Sequence, residues 1–188
     1  RAGVSPHPGS RSESPGQTSY EAAHARSGPD AAELLAELER RGLTLAIAES
    51  LTGGLLIAEF IAIAGASAVV RGGVIAYATD LKHSLLGVDS VLLAQHGPVH
   101  ADVARQMASG VRIALALDER PADLGLSTTG VAGPRSQDGH PAGEVFIGMA
   151  DAEGATATRL QLAGDRDHIR SSVVSESLST VHRWLDTH

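Results

Sequence analysis

The chain is 188 residues long, with 43% apolar and 20% charged residues, a formal net charge of -7 and no cysteine. That balance fits one soluble globular domain, and the missing cysteines exclude disulfides, thiolate catalysis and cysteine-ligated metals. An acidic chain without a long basic run is a poor duplex binder, and an aromatic content of 3% argues against stacking on single strands, so no nucleic-acid partner is expected. No apolar run is long enough to span a bilayer and no signal-peptide core opens the chain, so no membrane partner is expected either; with the lack of cysteine this suits a cytoplasmic protein.

Residues 1–28 are rich in Ser, Pro, Gly, Arg and Glu and read as a disordered tail; residues 29–188 read as the folded domain. A helix with Leu34, Leu35 and Leu38 on one face is expected from 29 to about 42. The run 43–47 is short and apolar, as a buried strand is, and 55–65 reads as a packed helix. Residues 69–77 read as a second strand with a bulge at Gly72-Gly73. Asp80 is expected to cap a short helix through Leu86. Further helices are expected at 89–96 and 101–117, then an apolar strand at 122–128. Residues 144–150 and 156–162 read as an antiparallel pair, and a helix from 165 to 185 closes the chain. Helices between strands imply parallel crossovers, and the late hairpin makes the sheet mixed. The expected fold is a three-layer α/β/α sandwich around a mixed, mostly parallel sheet.

The chemistry concentrates at three strand ends. The first carries Glu49-Ser50-Leu51-Thr52-Gly53-Gly54, a polar turn between strand and helix. The second carries Tyr77-Ala78-Thr79-Asp80, with Lys82 just beyond. The third carries Thr128-Thr129-Gly130-Val131-Ala132-Gly133-Pro134. In parallel strands all three ends share one edge of the sheet, where α/β proteins bind ligands. Ser50 or Thr52 can be a helix cap, or Ser50 a nucleophile. A lysine with a lowered pKa can be the base for a serine, and a tyrosine hydroxyl can relay the proton. Gly53 and Gly54 let a ligand approach the backbone, and the start of the following helix offers N–H groups to an anion. Arg166 and Arg170 sit one turn apart at the positive end of the last helix; they serve either to hold an anion or to pair with Asp165 and Asp167. His96 and His100 are separated by Gly97-Pro98 and share no helical face, so no metal pair is supported. The glycine turns match neither the P-loop nor the dinucleotide fingerprint, and no cofactor is expected.

Ala48-Glu49-Ser50-Leu51-Thr52-Gly53-Gly54 resembles the A-E-S-C-T-G-G motif of the CinA carboxy-terminal domain family, the nicotinamide-nucleotide amidases. Tyr77-Ala78-Thr79-Asp80-Leu81-Lys82 resembles its Y-S-N-x-x-K motif. Leu86-Gly87-Val88, Gln95-His96-Gly97, Thr129-Gly130-Val131-Ala132-Gly133-Pro134, Pro141-Ala142-Gly143 and Gly164-Asp165-Arg166 follow in the family's order. The resemblance implies hydrolysis of the carboxamide of nicotinamide mononucleotide to nicotinic acid mononucleotide and ammonia, in pyridine nucleotide salvage. It implies Ser50 as nucleophile, Lys82 and Tyr77 as its activators, and Thr129 with its neighbouring glycines as holders of the intermediate or the substrate. Thr52, Gly53, Gly54, Gly130, Ala132, Gly133, Arg166 and Arg170 are then the expected substrate-binding residues, for a small-molecule nucleotide. A catalytically silent nucleotide-binding or protein-interaction module of the same fold is the competing reading, and homo-oligomerisation is left open. Leu51 stands where the family has cysteine, which excludes a thiolate nucleophile there. Thr79-Asp80 stands where it has Ser-Asn, adding a carboxylate expected to disfavour a phosphorylated substrate. Many members carry a further amino-terminal domain; this chain resembles the stand-alone form.

Overall fold

The structure is a computed structural model that describes residues 29–188; the expected tail at 1–28 lies outside the described residues. Helix α1 (Ala31–Arg40) leads to strand β1 (Leu45–Glu49), helix α2 (Leu55–Ile61), a 3-10 turn (Ala66–Ala68) and β2 (Val70–Ile75). Helices α3 (Thr79–Leu86), α4 (Ser90–His96) and α5 (Ala101–Ala114) follow, then β3 (Leu124–Gly130), β4 (Glu144–Ala150), β5 (Ala155–Gln161) and α6 (Arg166–Thr187).

The five strands run in the order β2-β1-β3-β4-β5. β1 is parallel to both β2 and β3, and β3-β4 and β4-β5 are antiparallel. Antiparallel pairing of β4 with both its neighbours leaves it the one strand running against the other four. β1 lies between the two strands reached by later crossovers, so its carboxyl end is the switch point of the sheet, where α/β folds open a crevice.

The side-chain pattern of β1 explains its central place. Leu45 and Ile47 pack on one face with Leu34, Leu38, Leu56, Phe60, Val173 and Val181, beneath α1, α2 and α6. Ala46 and Ala48 face the other way, toward Val103, Met107 and Val111 of α5 and Leu86 of α3. Each large side chain buried in this way contributes about 1.5–3 kcal/mol. The α5 face uses small residues because the helix comes close: a Cβ on Gly125 would lie 1.9 Å from Ala108 O, and one on Gly110 1.8 Å from Leu86 O. That second contact fixes α3, the helix that carries Lys82.

Several boundaries differ from the sequence reading. β1 starts and ends two residues later than expected, so Glu49 belongs to the strand. β3 runs on through Thr129 and Gly130, because β4 continues to pair with it as far as Val145. The register irregularity of β2 falls at Arg71, between Val70 and Gly72, just before the glycine pair. α5 ends at Ala114. Asp80 does not cap α3: the cap is Ala78, with no side-chain hydrogen bond, and Asp80 lies in the first turn. Among the described residues no helix is long and apolar enough to cross a membrane.

Candidate functional site

The corner after β1 is built from buried hydrogen bonds. The Ser50 N–H donates to Thr128 O at 3.0 Å, extending the β1-β3 pairing by one residue. The Thr52 and Thr128 hydroxyls meet at 2.8 Å. The Glu49 side chain, 1% exposed, turns under the corner and accepts from the amides of Gly54 (2.9 Å), Leu56 (3.2 Å) and Ile57 (2.9 Å). These are the N–H groups that the first turn of α2 leaves without intrahelical partners. They were expected to be free for an anion; a carboxylate of the chain itself occupies them. Arg170 closes the corner from outside, donating to Leu51 O at 2.9 Å and Thr52 O at 3.0 Å.

Ser50 is thereby held at the carboxyl end of β1 with its side chain turned to the α3 side. Lys82 reaches it from the first turns of α3: Nζ lies 3.2 Å from Ser50 Oγ and 2.7 Å from Ala76 O. Lys82 is 1% exposed, and burial lowers its pKa from 10.5 to about 8. No carboxylate opposes that shift among its hydrogen-bond partners, so desolvation of the charged form governs it.

Ser50 and Lys82 line a cleft of about 590 Å³, part of it open to solvent, together with Tyr77, Thr129, Gly130, Ala132, Gly133 and Arg166. These eight of the twelve expected site residues converge. Thr52, Gly53, Gly54 and Arg170 do not line the cleft; they form and brace the corner behind Ser50. The Thr129 hydroxyl donates to Pro98 O at 2.6 Å, fixing the loop before α5 to the end of β3. The Tyr77 hydroxyl is 3.4 Å from Arg166 and bonds to neither Ser50 nor Lys82. Arg166 also donates to Gly133 O at 2.9 Å.

Three residues of this region escaped the sequence reading: Glu49 beneath the corner, and Arg135 and Gln137 in the cleft wall. The lining holds the cations of Lys82, Arg135 and Arg166 and no carboxylate. Asp80 is exposed and stands outside that lining, while Thr79 beside it is part of it. In an acidic chain, a cleft walled by cations only is suited to an anionic ligand.

Residues 29–185 match the CinA C-terminal domain. The chain is 46% identical over 152 residues to a CinA-like protein of Frankia casuarinae, an alignment covering 81% of this chain and 34% of that protein. It is 43% identical over 148 residues to a CinA-like protein of Geobacter sulfurreducens, covering 78% and 35%. The chain thus spans about a third of the length of these curated relatives. A CinA superfamily protein from Klebsiella pneumoniae superposes with a TM-score of 0.77 at 27% identity, covering 85% of this chain and 100% of that one. A competence/damage inducible protein from Agrobacterium tumefaciens superposes with a TM-score of 0.74 at 31% identity, covering 83% and 93%. The chain belongs to the CinA C-terminal domain family.

Proposed function

We propose that the chain is an amidohydrolase that cleaves the carboxamide of nicotinamide mononucleotide, with Ser50 as nucleophile and Lys82 as its base. The observation that carries this reading is the buried Lys82 amine 3.2 Å from the Ser50 hydroxyl, its pKa brought down to about 8. At pH 7 a lysine of that pKa is neutral in about one molecule in ten, against about one in three thousand for an unperturbed one.

In the first half-reaction the neutral Lys82 amine takes the Ser50 proton as Oγ attacks the carboxamide carbon. The tetrahedral oxyanion collapses with breakage of the C–N bond, and the Lys82 ammonium returns the proton to the departing nitrogen, which leaves as ammonia. An ester to Ser50 remains. Water then attacks that ester, giving its proton to Lys82, which passes it to Ser50 Oγ as the carboxylic acid is released. The main chain of Gly130, Ala132 and Gly133 lines the cleft and is the source of oxyanion donors in this scheme, the Val131 N–H being taken by Glu144 O at 2.9 Å. Arg166 receives the phosphate, and Tyr77 steadies the Arg166 guanidinium rather than relaying a proton, in keeping with the 3.4 Å contact between them.

The test is ammonia release from nicotinamide mononucleotide by the purified protein and by Ser50→Ala. Turnover is expected in the first and a loss of more than about a thousandfold in the second, with unchanged thermal stability. No ammonia from the wild-type protein, with nucleotide still bound, would favour a silent binding module of the same fold.

A further inference from the structure

Two polar side chains of the cleft wall come from the loop that follows Pro134. Arg135 and Gln137 belong to the loop between β3 and β4, and both line the cleft. Arg135 has no carboxylate partner among the described residues, so its charge faces the cleft mouth uncompensated.

The loop that carries them is fixed at several points. Its start is tied by the bond from Arg166 to Gly133 O. Its middle folds into a tight hairpin: the Gln137 amide donates to His140 O at 3.0 Å, and the His140 amide to Gln137 O at 2.8 Å. The two turn residues, Asp138 and Gly139, have φ of 51° and 84°, the left-handed pair that an Asp-Gly two-residue turn supplies. Its end is pinned to β5, where Gln161 donates to Ala142 O at 3.0 Å and the Leu162 amide to Gly143 O at 2.9 Å.

One side-chain bond joins the hairpin to the sheet. Glu144, 6% exposed at the start of β4, accepts from His140 Nδ1 at 2.9 Å with one carboxylate oxygen and from Arg159 at 2.9 Å with the other. A buried carboxylate with two charge-assisted partners has little freedom. The His140 ring that it holds ties the end of the hairpin to the start of β4.

We propose that this hairpin is the specificity element of the cleft: Arg135 and Gln137 grip the phosphate end of the substrate opposite Arg166, and His140 is the positioning residue that, through Glu144, holds them there. The proposal rests on the amidase reading for the identity of the substrate, but not for the location of the grip. A phosphate monoester dianion fits this mouth because it can accept from two guanidinium groups and an amide at once. A nucleoside without the phosphate leaves those donors facing water and gains nothing from them.

The experiment measures binding by calorimetry in the Ser50→Ala background, with nicotinamide mononucleotide, nicotinamide riboside and inorganic phosphate as separate probes. Arg135→Ala is expected to weaken the mononucleotide about tenfold or more and to abolish measurable phosphate binding, while leaving the riboside within about twofold. His140→Ala is expected to weaken the mononucleotide in the same sense, and His140→Asn, whose amide can donate to Glu144 in place of Nδ1, to restore most of the loss. In the Ser50 enzyme the same substitutions raise KM for the mononucleotide with kcat changed less than about threefold. Equal weakening of mononucleotide and riboside, or no weakening by Arg135→Ala, overturns the proposal. Should His140→Ala fail to fold, the Arg135 arm decides alone. Absence of ammonia release from the wild-type protein would sink the amidase reading, while the phosphate-binding arm would still report on the grip.

Discussion

Lys82 Nζ stands 3.2 Å from Ser50 Oγ, and the same nitrogen donates to Ala76 O at 2.7 Å. The carbonyl orients the amine, and the burial of both side chains removes the water that would keep it charged. If Lys82 is the base, activity rises with pH through one ionisation with a midpoint near 8, the value to which burial brings its pKa. That limb is expected to vanish in Lys82→Met. Lys82→Arg is expected to be inactive as well, since a guanidinium stays protonated at any working pH. The measurement is a profile of kcat/KM against pH for the three proteins. A wild-type rate in Lys82→Arg would make position 82 a substrate anchor and move the base elsewhere.

The same burial has a consequence for stability. The unfolded chain holds the Lys82 proton up to about 10.5, whereas the folded chain releases it at about 8. Between those values the unfolded state binds more protons, so stability rises with pH. Below pH 8 the whole cost of burying the charge is present, on the order of 3 kcal/mol for a shift of this size. Lys82→Met removes the charge, so the stability difference between variant and wild type is expected to be largest below pH 8 and to shrink as pH rises toward 10.5. Urea midpoints at a series of pH values check this; a difference independent of pH would show that Lys82 is well solvated and keeps its ordinary pKa in the fold.

Glu49 has a role that no residue count at the corner would suggest. Its carboxylate is the acceptor for three amides of the α2 start. Glu49→Ala leaves those amides without partners in a buried place, at about 1–3 kcal/mol for each group left unsatisfied. Glu49→Gln keeps one acceptor oxygen and loses the charge that the helix end favours. The expected order of stability by denaturant unfolding is wild type, then Gln, then Ala, with activity falling in step because the Ser50 corner loosens. A fully stable Glu49→Ala would show that water replaces the carboxylate.

The convergence of Ser50, Tyr77, Lys82 and the residues 129–133 was legible in the sequence because it needs only strand ends and a parallel sheet. Those are properties of short apolar runs and of the helices between them. Glu49 was not legible, since an acid at the end of a buried strand gives no local hint that it bends toward amides five to eight residues on. For Arg170 the sequence leaves two readings open, holding an anion or pairing with Asp165 or Asp167, and Asp167 does approach it at 3.9 Å. The hydrogen-bond acceptors of Arg170 are carbonyls 118 and 119 residues earlier in the chain, a distance no periodicity spans. Arg135 and Gln137 lie in a polar loop whose path depends on a turn at Asp138-Gly139 and on the Glu144 bond to His140, neither of which reveals its direction in sequence. Residue type points to Asp80 as the cap, and the start of α3 two residues earlier leaves that cap to Ala78.

The spacing of α3 from α5 is set by a missing side chain. Gly110 lies mid-helix in α5 with the end of α3 directly against it: a Cβ there would stand 1.8 Å from Leu86 O and 2.8 Å from Leu86 C. Backbone cannot rotate aside as a flexible side chain can, so Gly110→Ala must push the two helices apart. Overpacking of this kind costs about 1–3 kcal/mol, well above the small gain that alanine brings to a helix interior. Lys82 is one turn before Leu86 in the same helix, so the displacement reaches the amine that faces Ser50. The expected result is a lower urea midpoint together with a kcat reduced about tenfold or more, since misplacement of a reacting group by 1 Å can cost far more than that. Gly154→Ala is the matched comparison: nothing lies within 4 Å of its added Cβ, and a surface change of that kind is expected to stay within about 0.5 kcal/mol and leave kcat unchanged. If Gly110→Ala behaved like Gly154→Ala, the close approach of α5 to α3 would not be what holds Lys82 in place.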